Sequence, residues 1–236
     1  MCKSLTPYML VLGPIVMMAG FVTLPDFEGV VGQEYLDEVK ALDFDITFVK
    51  MFIVATGVLM LFGGFFLLSQ DLMANSGKVQ RDLLMLSRIG FMFAFTVFYL
   101  FFALQIESIA VAQGVNDAYA DDPALVDELA LDAHYMAEGI WGSMPIAWGT
   151  ALILFGIAAV TGNNSPKESM EWAYGLPIIG ALAMMSSFLG VGGFAAFLLA
   201  MFCAMPIGIL MLTGHLKDTD SDDTAPESDD PGPESD

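Results

Sequence analysis

Four ionisable side chains carry most of the chemistry this sequence could perform: Glu107, Asp127, His134 and Glu138. Asp127, Leu131, His134, Glu138 and Gly142 recur at steps of three and four residues, so a helix would stack them on one stripe. Two carboxylates and an imidazole suit a divalent metal such as Zn, Fe or Mn. They equally suit the mouth of a proton or cation path, because imidazole titrates near neutrality. The plainer reading leaves Glu107 and Glu138 in a wet headgroup zone and His134 at the end of a loop. The His-x-x-x-Glu spacing arises readily by chance and is not the H-E-x-x-H hydrolase signature. A divalent metal is therefore open but not the favoured reading, and no other cofactor is indicated. These positions matter because the chain around them is apolar, and ionisable groups at membrane depth mark functional sites.

The elements that must position them are membrane spans. Of the 236 residues, 56% are hydrophobic and only 15% charged, with a mean hydropathy of +0.66. That composition belongs to an all-α, polytopic membrane helical bundle. About six transmembrane helices are expected, near residues 5–24, 48–69, 89–111, 139–161, 175–190 and 193–213. The first is read as a retained helix rather than a cleaved signal, because its apolar run is long and Pro14 interrupts it. The last two share an uncharged run, residues 176–213. As one helix it would be about 57 Å long, nearly twice the apolar thickness of a bilayer. It must fold back, and Gly190-Val191-Gly192-Gly193 is the expected turn.

Glu107 closes the third span, on which Phe91, Phe95, Phe98 and Phe102 form a stripe. Read as the lipid-facing or packing face, that stripe leaves Thr96, Leu100, Ala103 and Glu107 opposite, with Glu107 turned inward. Asp122-Pro123 reads as an N-cap followed by Pro at the first helical position. A helix starting there would carry Asp127, His134 and Glu138 into the fourth span. Beyond them Gly142, Pro145, Gly149 and Gly156 make a small-residue stripe suited to helix packing, with Pro145 expected to kink the helix. In the second span Gly57, Gly63 and Gly64 invite the same close contact. Val31, Tyr35, Val39 and Leu42 predict a short amphipathic helix lying on the membrane.

The formal net charge of −20 is concentrated in three segments. Residues 26–47 hold seven acids and one Lys, residues 113–138 hold seven acids and neither Lys nor Arg, and nine more acids fall between Asp218 and Asp236. The tail, residues 217–236 beyond a transmembrane domain of 1–216, lacks apolar side chains to offset ordering entropy and is expected to be disordered. Lys78, Arg81 and Arg88 make the link 70–88 the most basic segment. With Lys3, Lys167 and Lys217 it falls on one side of a six-span layout. The positive-inside rule makes that side cytoplasmic, places both termini there, and leaves the acidic loops 26–47 and 113–138 outside the cell membrane.

Several functions are excluded. Eight Lys and Arg against 28 Asp and Glu leave no basic stripe for nucleic acid. His134 and His215 are expected on opposite sides of the membrane, which rules against a haem between them. No span carries a central Lys for a retinal Schiff base, and there is no Walker A loop, G-x-S-x-G, Cys cluster or Arg-rich voltage-sensing helix. An enzyme is disfavoured. The leading expectation is a non-catalytic accessory or assembly subunit, whose partners are the lipid bilayer and other membrane subunits or further copies of itself. The alternative is a small cation- or proton-linked transporter or channel with an acidic outer vestibule; a membrane-embedded, metal-dependent enzyme ranks third.

Overall fold

The computed structural model describes residues 5–25, 27, 30–74, 76–115, 122–161, 171–189 and 193–214. They form an all-α bundle of seven α-helices: α1 (Thr6–Phe21), α2 (Gly32–Lys40), α3 (Phe44–Met73), α4 (Lys78–Ala112), α5 (Pro123–Thr161), α6 (Gly175–Leu189) and α7 (Gly193–Leu212). A short 3-10 turn, Glu171–Tyr174, leads into α6. Three helices, α3, α4 and α5, are long and apolar enough to cross a membrane. α1, α6 and α7 are shorter apolar helices. The acidic tail, Cys2, Lys3, Lys167, His215 and Lys217 lie outside the described residues.

Six of the helices close a ring. α1 packs on α3, α3 on α4, α4 on α5, α5 on α6 and α6 on α7, while α7 returns to α1. α2 stands apart from the ring and packs on α4 and α5. In the long uncharged run α6 ends at Leu189 and α7 begins at Gly193; Gly190, Val191 and Gly192 of the expected turn lie outside the described residues.

The helix boundaries follow from local chemistry. Asp122 caps α5, its carboxylate accepting from the Leu125 amide at 3.2 Å, and Pro123 follows without needing an amide partner. Asp43 caps α3 through the Ile46 amide at 3.0 Å. α4 ends on Gly114, whose φ of 67° is left-handed. The Val115 amide then donates back to the Ala110 carbonyl and the Gly114 amide to Val111, which together satisfy the last turn. With 35 and 39 residues, α4 and α5 are about 52 Å and 58 Å long, well beyond a bilayer's apolar layer of about 30 Å. The C-terminal end of α4 and the N-terminal end of α5 make the distal end of the bundle.

Between apolar helices, contact comes from small residues and from hydroxyl or amide side chains that reach a neighbour's backbone. A Cβ on Gly149 would lie 2.6 Å from the Gly180 carbonyl, so α5 and α6 touch backbone to backbone there. Gly156 meets Pro177 of α6 in the same way, and Gly57 and Gly64 press on α1 at Met17 and Leu10. Gly142 faces open space, so that position of the small-residue stripe takes no part in packing. α5 continues through Pro145, which is buried.

The Phe stripe of α4 takes the packing role, one of its two expected roles, and the expected inward orientation of Glu107 is overturned. Phe91, Phe98 and Phe102 are buried, Phe91 and Phe98 packing against Phe62 of α3 and Phe91 also against Phe65 of α3 and Phe155 of α5. Thr96, Leu100, Ala103 and Glu107 are exposed instead. Ring against ring gives closer packing than Phe against fluid lipid, and the inward Phe stripe turns Glu107 out. α2 also departs from its expected place on the membrane surface. Tyr35, Leu36 and Val39 are fully or almost fully buried against the bundle, whereas Val31 is exposed.

Gly149→Leu or Gly180→Leu should destabilise the bundle by more than the 1–3 kcal/mol typical of overpacking, because backbone and not a flexible side chain blocks the new atoms. Gly142→Leu should stay within about 0.5 kcal/mol. Thermal unfolding in detergent would order the three variants.

Candidate functional site

The distal end holds a buried polar cluster assembled from α2, α4, α5 and the segment before α2. Its centre is His134, which is 1% exposed. The imidazole lies almost parallel to the Tyr35 ring, with centroids 3.7 Å apart and planes 15° apart. Phe27 closes the pocket edge-on to both, at 5.2 Å from Tyr35 and 6.5 Å from His134. The Val30 main chain lies against the ring. The ring's Nδ1 lies 3.5 Å from Gln105 Nε2 of α4.

Gln105 links two of the expected site residues. Its Nε2 also lies 3.5 Å from Glu138 Oε1, one turn beyond His134 on α5. Gln105 is 4% exposed, and its carbonyl oxygen has no hydrogen-bond partner among the described residues. Glu138 itself is half-buried.

A second chain of hydrogen bonds fastens Tyr35. Its hydroxyl lies 2.7 Å from Ser108 Oγ of α4, and Ser108 donates in turn to the Ala130 carbonyl of α5 at 2.6 Å. Since the Ser108 proton is committed to Ala130, Tyr35 is the donor in the first bond. Burial pushes the Tyr35 hydroxyl up to about 12; the Ser108 bond acts the other way and the Glu138 charge adds to the rise. Tyr35 therefore stays a neutral donor at any physiological pH.

The rim of α2 carries three further attachments. Gln113 Nε2 donates to the Val39 and Leu42 carbonyls at 2.7 and 2.8 Å, satisfying the C-terminal end of α2. The Gly32 amide donates to the Tyr135 hydroxyl at 3.2 Å. Lys40 pairs with Asp127 at 2.7 Å, but at 40% and 35% exposure that pair contributes under about 1 kcal/mol.

The residues singled out in the sequence thus divide. His134 and Glu138 meet through Gln105, Asp127 stands at the rim with Lys40, and Glu107 is exposed on another face. Among the described residues no group of three His, Cys, Asp or Glu is arranged to hold a metal ion. Sequence reasoning missed Tyr35 as a polar group, and it missed Gln105 and Ser108 altogether. The signal was there: Phe98, Phe102, Gln105 and Ser108 continue one buried stripe along α4. In comparisons with known proteins, no protein family, curated protein or solved structure matches the chain.

The attachments should rank by what each removes. Tyr35→Ala loses the stack, the hydroxyl bond and the buried ring, and should release α2 almost completely. Tyr35→Phe loses only the bond and should cost about 1 kcal/mol. Lys40→Ala should have the smallest effect. Hydrogen–deuterium exchange over residues 32–40 reads all three.

Proposed function

We propose that this protein is an integral, multi-pass membrane protein acting as a non-catalytic accessory or assembly subunit of a membrane complex. One observation carries the reading. The buried polar groups of the distal end are engaged in joining segments of the chain: His134 and Tyr35 join α2 to α5, Gln105 joins α4 to α5, and Ser108 joins all three. Groups that position one another in this way make a rigid surface, and Glu107 stands apart from them.

The exposed face of α4 supports the same reading. In its most apolar stretch only 28% is buried, against 56% for α3 and for α5. Met85, Ile89, Met92, Phe93 and Leu100 are exposed along it. An apolar face of that kind suits lipid and equally suits a helix of a neighbouring subunit. α1, α6 and α7 complete a six-span bundle in this proposal, with α2 and the distal end outside and the basic Lys78–Arg88 end of α4 at the cytoplasmic face.

Native mass spectrometry of gently extracted protein tests it. The expected mass exceeds the chain's 25.4 kDa by that of other polypeptides. Glu107→Gln combined with Glu138→Gln should leave that assembly intact. A bare chain, or one that retains a stoichiometric metal ion, would overturn the proposal.

A further inference from the structure

We propose that the face of α4 around Arg88 is a binding site for the phosphate of an anionic phospholipid, with Arg81 and Lys78 selecting a headgroup that carries no cation of its own. The site rests on the chain being a membrane bundle, and adds to that reading a lipid class and a place.

Arg88 is a cation without a counter-charge. Its guanidinium lies over the Phe66 ring of α3, 4.2 Å from the centroid, and this cation–π contact holds it against that helix. Its Nη2 donates to Gln70 Oε1 at 3.3 Å, and its Nη1 lies 3.9 Å from the Met73 sulfur, a weak acceptor. Its Nε is buried and has no hydrogen-bond partner among the described residues. A guanidinium offers five N–H donors, so two long contacts leave most of them unclaimed. Among the described residues no carboxylate pairs with Arg88, Arg81 or Lys78. Asp71, next to Gln70 on α3, accepts instead from Thr6 of α1 at 3.1 Å.

Two helices place that cation at the edge of the apolar layer. On α4, residues 89–106 between Arg88 and Glu107 carry no charge, and on α3, residues 51–70 between Lys50 and Asp71 carry none. As helices these runs span about 27 Å and 30 Å, the thickness of a bilayer's hydrocarbon core. The contacts of Arg88 with Phe66 and Gln70 bring the ends of both runs together, so the two helices mark one boundary. An ionised group at that depth is costly unless a partner is supplied. Lipid phosphates lie just beyond it, and a guanidinium matches phosphate as a bidentate, charge-assisted pair.

The neighbours of Arg88 supply the selection. Lys78, Arg81, Met85 and Arg88 recur at steps of three, four and three, which puts them on one helical face. Lys78, Arg81 and Met85 are exposed and Arg88 is half-buried, while Asp82 is exposed on the flank of that face. Arg81 lies about 10 Å from Arg88 along the axis, so two long side chains can reach one headgroup. The choline ammonium of a zwitterionic lipid would be set among these cations. The glycerol of phosphatidylglycerol would not.

The test is native mass spectrometry of the full chain released from nanodiscs of equal phosphatidylglycerol and phosphatidylcholine, reading which lipid stays bound. Phosphatidylglycerol should be retained about tenfold over phosphatidylcholine, as one charge-assisted pair implies. Arg88→Gln should bring the ratio close to one. Lys50→Gln, which removes the same charge from the other end of α3, should leave it unchanged. Should Arg88→Gln fail to fold, the exposed Arg81 decides, and Arg81→Gln should lower the ratio about fivefold. A ratio of one in the unaltered chain overturns the site. So does a ratio untouched by Arg88→Gln or by Arg81→Gln, or lowered equally by Lys50→Gln. Retention of inorganic phosphate by the chain in phosphatidylcholine discs, lost in Arg88→Gln, would assign the site to the soluble anion and overturn the lipid. A chain that does not co-elute with the discs overturns the membrane reading itself, whereas one that co-elutes with a ratio of one overturns only the site.

Discussion

The antiparallel pairing of α4 with α5 is the contact on which the other elements depend. Lipid tails are as apolar as Leu, so helix pairing within a bilayer gains little from hydrophobicity and relies on packing and hydrogen bonds. Here both are present. Ser87 Oγ donates to the Ala151 carbonyl at 3.0 Å and Gln80 Nε2 to the Ala158 carbonyl at 2.7 Å, fixing register at the end remote from α2. Between these bonds and the distal cluster, a Cβ on Gly90 would meet that of Ala151 at 2.9 Å, so the backbones run close. Register set at one end determines whether Gln105 faces His134 and Ser108 faces Ala130 at the other.

The distal cluster follows a different logic from the aromatic core. In the core, Phe62, Phe65, Phe91, Phe98 and Phe155 stack or tilt against one another, and related apolar shapes could substitute. At the distal end the polar atoms have particular counterparts, the Gln105 carbonyl oxygen excepted. Tyr35 needs an acceptor at Ser108 because Ser108 has given its proton to Ala130. Such directional bonding specifies one docking position for α2, where apolar burial of Leu36 and Val39 alone would permit sliding.

Much of the fold was legible in the sequence because apolar length and helical periodicity are properties of the chain itself. Asp122-Pro123 announced the start of α5, the glycines of α3 announced close contact with α1, and the excessive length of the uncharged run announced a break. What was not legible was rotation. A Phe stripe in a membrane helix suits lipid as well as protein, so the sequence left the facing of that stripe open and turned Glu107 inward, whereas it is exposed. The position of α2 failed for a related reason: an amphipathic helix presents the same pattern to a bilayer surface and to the side of a bundle. Tyr35 was read as an apolar position in that pattern, although its hydroxyl had to find a partner once buried. The His134 and Glu138 pairing followed from spacing on one helix. Gln105, the residue that joins them, comes from α4, and its contribution became visible only with the correct rotation of that helix.

The unequal lengths of the ring's helices bear on the lipid around it. α1 and α6, with 16 and 15 residues, reach about 24 Å and 22 Å, short of a hydrocarbon layer about 30 Å thick, whereas α4 and α5 exceed it. Read as a membrane bundle, the molecule meets the bilayer with hydrophobic mismatch of opposite sign on different sectors of its circumference. The lipid must thin beside α6 and can thicken beside α4, at a cost of fractions of a kcal/mol for each ångström. A neighbouring protein seated against the short helices would remove that deformation. In that reading the thinned lipid falls beside α1 and α6, while α7 between them, at about 30 Å, matches the layer.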